Sequence, residues 1–370
     1  MAAPQVIDID TLLAPVSDES PAGADPRAEG SANSLYYQVK DARNAARSEE
    51  RASVETGRPT PEAWGTVVTS AGELLSHGGK DLEVAAWLVE ALVRTEGFAG
   101  LRDGLKIIAG VASRYWDGCF PELDEDGVEG KLVSIAGLSG AGATGTLVQP
   151  IRLLPITNGS LAAYSLWSYE QAVDLQKITD PARRQARIDA GAVSMEQFMQ
   201  SVAETRPSDL AGTVALVDEC LAALGEMSSA FDAVAGAEAP PVSGLRELLQ
   251  QVASSIRYFA ADKLASAAID NPQPAEDVSE TAASSGAEGG ATVAVRRIDG
   301  YASRNEALEE LTRLASYFRK TEPHSPISYT LEDTVRRARM SLPELLAELA
   351  GDPTHVQRIL LAAGIRNQES

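Results

Sequence analysis

The stretch whose residue types come nearest to cofactor chemistry is Gly140-Ala141-Gly142-Ala143-Thr144-Gly145, since glycine-rich turns let backbone N–H groups approach a phosphate. The Gly-Lys-Ser/Thr ending of a phosphate loop is absent and no strand-turn-helix context surrounds it, so the run reads as a surface loop. The acidic run before it can be tested as a calcium loop. With Glu122, Asp124 and Asp126 on the first ligand positions and Gly127 at the turn, the closing bidentate Glu falls on Val133. The test fails, and a solvated acidic loop is expected.

The chain has 3 histidines and 2 cysteines. His77 lies beside the helix stop Gly78-Gly79, His355 lies near the start of the last predicted helix, and no Ser/His/Asp ordering or HExxH motif is present. His324 sits in the bend Glu322-Pro323-His324-Ser325-Pro326, where it is expected to hold the turn by hydrogen bonding, a partner contact being the alternative. Cys119 and Cys220 have no CxxC spacing, which excludes a disulfide framework and a cysteine zinc site and fits a reducing compartment. Cys119, beside Phe120-Pro121, reads as a small buried apolar residue. No enzyme, metal or cofactor is expected. Arg336, Arg337 and Arg339 either dock an acidic partner surface or form a solvated helix face.

Charge narrows the partners. The net charge of −21 opposes nucleic-acid binding and direct membrane insertion, which rely on clustered Lys and Arg or on long apolar spans. Residues 296–370 carry 11 Lys/Arg and 11 Asp/Glu, so the whole excess of negative charge lies in residues 1–295. The N-terminus lacks a basic and apolar leader, and a cytoplasmic location is expected.

The elements that position these residues are helices. Residues 4–30 read as an extended lead-in packed on a later surface, and residues 31–52 as a helix. Trp64, Val67, Val68, Ala71, Leu74 and Leu75 form one stripe at helical spacing. The run from Lys80 to Arg94 is apolar over more than half its circumference and must be sandwiched, and Phe98 to Trp116 repeats the pattern. Leu147 to Pro155 is expected to form a short edge strand or hairpin, because its prolines bar a central strand. Ser194-Met195-Glu196-Gln197 reads as a capping box. Residues 208–235 and 245–259 carry apolar residues on alternating steps of four and three around Pro240-Pro241, a long antiparallel hairpin expected to pack within its own domain, with an arm or half of an oligomer contact as the alternatives.

The predicted fold is therefore mainly α, with an N-terminal helical bundle and minor β element over 1–165 and a middle helical hairpin domain over 166–270. A flexible acidic linker over 271–295 and a small C-terminal helical domain over 296–370 complete it. Within the last, Ser303 to Glu306 is a capping box and Ser325-Pro326 opens the next helix. Four short helices make a thin core that self-association would improve.

Trp64-Gly65-Thr66-Val67, the run from Lys80 to Leu105, and Ser165-Leu166-Trp167-Ser168-Tyr169-Glu170 resemble the ImpA N-terminal domain of the TssA proteins of bacterial type VI secretion systems. The bend at Glu322–Pro326, with Arg337-Ala338, is similar to the terminal domain of one TssA subgroup. The resemblance implies a non-enzymatic scaffold that forms homo-oligomeric rings through its C-terminal domain. It implies contacts with the sheath, inner tube and baseplate, and a part in priming their polymerisation. On that reading Pro323, His324, Pro326, Arg336, Arg337 and Arg339 are the candidates for oligomer or partner contacts. A soluble helical adaptor binding one partner without a ring is the alternative.

Overall fold

The computed structural model describes residues 3–31, 34–53, 62–123, 125, 127–140, 144–160, 162–270, 304–321, 326–340 and 348. The chain divides into two compact units, Met1–Glu276 and Asp277–Ser370. The linker at 271–295, the bend residues Pro323 and His324, and the last helices of the C-terminal domain lie outside the described residues, Glu348 excepted.

In the first unit the lead-in contains one turn, α1 (Ile9–Leu12), capped by the Asp8 side chain. Helices α2 (Leu35–Ser53) and α3 (Ala63–Glu73) follow, and α3 ends in a π-type turn, Leu74–Gly78. The predicted stripe is real: Trp64, Val67, Ala71, Leu74 and Leu75 are all buried. The sandwiched helix is α4 (Leu82–Thr95), capped by the Asp81 carboxylate accepting from the Val84 N–H, and every residue from Val84 to Val93 is buried.

Helix α5 (Gly97–Tyr115) crosses α4 closely enough that a Cβ on Gly100 would stand 2.1 Å from the Leu92 carbonyl oxygen, so only glycine fits there. Four helices then fill residues the sequence reading left as loop or strand or placed only in outline: α6 (Gly127–Ser139), α7 (Val148–Leu153), α8 (Leu166–Gln176) and α9 (Pro181–Asp189). Beyond them are α10 (Met195–Glu204), α11 (Pro207–Ala235), α12 (Ser243–Phe259) and α13 (Ala261–Asp270). The capping box at Ser194 and Gln197 forms as read. No helix among the described residues is long and apolar enough to cross a membrane.

Two expectations change. The minor β element is corrected: among the described residues there is no sheet, only isolated bridges such as Pro155 with Ser165, and the segment after Leu147 is helical. Pro150 is tolerated because it occupies the third helical position, where its N–H would have no partner within the helix. Leu147, Ile151 and Leu154 all turn inward.

The expected boundary at 165/166 also falls inside one compact unit. Helix α11 packs along α5 and α12 packs back on α11, so one core runs from Ile9 to Ala260. Arg257 joins Asp218 at 2.7 Å in the register of an antiparallel α11–α12 hairpin, and Cys220 on α11 donates to the Phe98 carbonyl at 3.1 Å. Burial pushes both thiols up, that of Cys220 to about 12, and both cysteines are buried.

The second unit contains α14 (Arg304–Thr321) and α15 (Ile327–Arg339), packed on each other through Leu308, Ala315 and Val335.

Candidate interaction surfaces

The C-terminal candidates fall into three groups. Pro326 stands at the cap of α15 rather than at its first helical position, and its carbonyl accepts from the Thr330 N–H and hydroxyl, both at 3.0 Å. Pro323 and His324 lie outside the described residues, so the expected role of His324 in holding the bend has no geometry to set beside it. The arginines project from the last turn of α15. Arg336 donates to Asp333 at 2.6 Å and to both Glu348 oxygens at 2.6 and 2.7 Å. Arg337 reaches the same two carboxylates at 3.1 and 2.9 Å, and Arg339 is exposed.

Two of the three thus spend their charge inside the unit, tying α15 to Glu348. These arginines, Arg336 first, hold the Glu348 carboxyl down at about 2 from its ordinary 4.5. A depressed carboxyl stabilises the folded arrangement above its ordinary range and loses that contribution as pH falls through 4.5 toward 2. The carboxyl carbon of Glu348, followed by NMR, is expected to titrate near pH 2, and Arg336→Ala is expected to move the midpoint back toward 4.5. A wild-type midpoint near 4.5 would dismiss the latch.

Among its charged residues the second unit also exposes large apolar side chains. Tyr317 and Tyr329 are 59% and 60% exposed, with Leu314 and Ile327 also exposed beside them in sequence. Arg319 lies over the Tyr329 ring at 5.1 Å and pairs with Glu332 at 2.6 Å. An open groove of about 540 Å³ is lined by Tyr329, Thr330, Glu332, Asp333 and Arg336. Tyr and Arg over a shallow groove is the composition of association surfaces.

The first unit is held by polar joints that periodicity could not reveal, because they sit inside helices that read as apolar. Arg43 grips both oxygens of the buried Glu90 at 2.8 Å. Arg27 spans Asp81 and Glu83 at 2.5 and 2.7 Å. Lys80 and Arg102, both buried, anchor the lead-in. A charged residue in an apolar run, Glu90 above all, was the available sequence signal. Among the described residues no three His, Cys, Asp or Glu side chains gather where a metal ion could be held.

Comparison with known proteins agrees with this architecture. Residues 13–140 match the family model described as ImpA, N-terminal, type VI secretion system. A solved structure, the N-terminal domain including the conserved ImpA N-terminal region of the TssA component of the type VI secretion system from Burkholderia cenocepacia, matches with a TM-score of 0.60. It is 29% identical and covers 70% of this chain and 96% of that one. The matching unit is thus a helical domain of the ImpA N-terminal class. The type VI secretion system component TssA1 of Pseudomonas aeruginosa is 27% identical over 350 residues, which is 94% of this chain and 96% of the relative. Over most of its length the chain is thus similar to TssA components of type VI secretion systems, and its residues 13–140 carry the ImpA N-terminal region.

Proposed function

We propose that this protein is a non-enzymatic, ring-forming scaffold of a bacterial type VI secretion system, which contacts baseplate, sheath and tube and helps prime or coordinate their polymerisation. The observation that carries the reading is the character of the second unit. Among the described residues its α14–α15 pair buries Leu308, Ala315 and Val335 and exposes Leu314, Tyr317, Ile327 and Tyr329, so association with further copies would bury apolar surface.

Charge favours the same element. Residues 296–370 are neutral and can approach one another without repulsion, whereas residues 1–295 hold the entire −21 and push copies apart. A neutral associating head and repelling, separately folded arms suit a ring with projections. The baseplate, sheath and tube contacts are part of the proposal, supported by the similarity to TssA components of type VI secretion systems.

Light scattering on the purified full chain tests the oligomer. A large species is expected that collapses to a small one when residues 296–370 are deleted. A full chain that is monomeric at micromolar concentration overturns the ring and leaves the single-partner adaptor.

A further inference from the structure

Helix α9 is anomalous for a folded chain, because none of its residues is buried. Nine residues are too few to be helical in water on their own strength, and α9 is held by its ends. Asp180 caps it by accepting from the Ala182 N–H at 2.9 Å, Pro181 opens it, and Arg184 folds back on the Ile178 carbonyl at 2.6 Å. Its outer surface carries two adjoining strips at one-turn spacing, Ala182 with Ala186 and Arg183 with Arg187. Neither Arg183 nor Arg187 enters an ion pair among the described residues, although residues 1–295 carry the whole net charge of −21.

The complementary surface is on the same unit. Helix α6 spreads its apolar residues around the helix, Val128, Leu132, Val133, Ile135, Ala136 and Leu138, with Glu129, Lys131 and Ser134 between them. Its inner face, Leu132, Ile135 and Leu138, is buried, but Val133 on the outer face is 65% exposed and a Cβ on Gly137 would meet nothing. Leu123, in the loop before α6, is 58% exposed. Glu122 and Glu125 neighbour Leu123 in sequence and Glu129 stands one helical turn before Val133, all exposed and none ion-paired among the described residues. Glu122 and Leu123 also line a cavity of about 320 Å³ with Asp117 and Lys131.

We propose that α9 of one copy docks on the α6 lobe of a second copy, laying Ala182 and Ala186 on Val133 and Leu123 with Arg183 and Arg187 directed at Glu125 and Glu129. Each surface supplies what the other lacks, an apolar strip edged by cations against an apolar patch edged by carboxylates. The contact is heterologous, with one patch meeting a different patch, so it propagates around a ring. It is weak alone, because the units it joins repel. It rests on the ring reading, since association of the C-terminal units raises the local concentration of arms to about millimolar. Screening over about 8 Å at physiological ionic strength removes the long-range repulsion and leaves close pairs intact.

The test mixes two full-length variants, Ala186→Cys and Val133→Cys, with a short bismaleimide, the native cysteines being buried. Cross-linking is expected at least about fivefold above a control in which Ser254→Cys replaces Val133→Cys. It is expected to fall to the control level with Arg183→Glu and Arg187→Glu, and to return when Glu125→Arg and Glu129→Arg are placed on the other partner. Yield no better than the control, or reversal without loss, overturns the contact. The mass of each sample separates the two readings. If the chain is monomeric the ring reading fails, and cross-linking is then measured at about 1 mM chain, the concentration the tether would have supplied. Absence there overturns the contact as well.

Discussion

Replacing Lys80 with alanine is expected to lower the unfolding free energy of the first unit by about 4 kcal/mol, read as a drop in urea midpoint at unchanged slope. The side chain is fully buried and, among the described residues, has no carboxylate partner. Its Nζ donates to the Leu12 carbonyl at 2.7 Å and the Leu75 carbonyl at 2.6 Å, and lies 5.6 Å from the Tyr115 ring centre. It therefore joins the lead-in to the π-type turn after α3 from inside the core. Alanine leaves two carbonyl oxygens buried and unpaired, at about 1–3 kcal/mol each, and removes the packing of the stem.

Lys80→Met separates the two losses, since it keeps most of the stem and removes the donor. Burial pushes the Lys80 amine down to about 8 from its ordinary 10.5. Between those values the unfolded chain binds more protons than the folded one, so the contribution of this group to stability rises with pH across that window. Physically, a buried ammonium is a cost that deprotonation relieves, while the neutral amine still has N–H donors for both carbonyls. The difference in stability between wild type and Lys80→Met is expected to grow from pH 8 to 10.5. A difference that shrinks over this range would show that the ammonium, not the neutral amine, is the preferred buried form.

Arg102→Ala is expected to cost as much, about 3–5 kcal/mol, because it breaks one partner out of a buried charged set. Arg102 donates to Asp103 at 2.7 Å, to Glu219 on α11 at 2.7 Å, and to the carbonyls of Ala3 and Pro4 at 2.8 Å each. Asp103 is fully buried and would keep the Val6 N–H at 2.7 Å as its remaining partner. Arg102→Lys is expected to recover little, since a single ammonium cannot reproduce the planar fork that serves four acceptors in different directions. Proteolysis gives an independent readout: cleavage near Val6 should accelerate with the loss of stability. An Arg102→Ala protein with an unchanged urea midpoint would mean that Asp103 finds other compensation and that the α5–α11 joint is apolar alone.

These two residues mark the limit of reading in one dimension. Helices α3, α4, α5, α11 and α12 were legible because each repeats apolar residues at helical spacing, and the Ser194 cap because a hydroxyl three residues before a Gln satisfies free N–H groups locally. Helix α7 was missed because Pro150 was weighed as a strand breaker, although Leu147, Ile151 and Leu154 already stood at steps of four and three. Helix α6 was missed for the opposite reason, since its apolar residues are spread round the helix among glycines, Glu129 and Lys131 and leave no stripe to detect.

By itself the sequence determined that α3, α4, α5, α11 and α12 are helical, where an acidic, glycine- and serine-rich stretch lies, and how unequally charge divides along the chain. Those properties depend on neighbours within a few turns, or on composition alone. Only the tertiary structure decided that α11 lies on α5 and merges the expected first two domains. It alone buried Lys80, Arg102 and Glu90 in the core, paired Arg336 and Arg337 with Glu348, and left α9 without a covering surface. The physical reason is range. A cap or a stripe is satisfied by residues three or four away, whereas a buried charge is tolerable only beside acceptors that arrive from 68 or 117 positions along the chain.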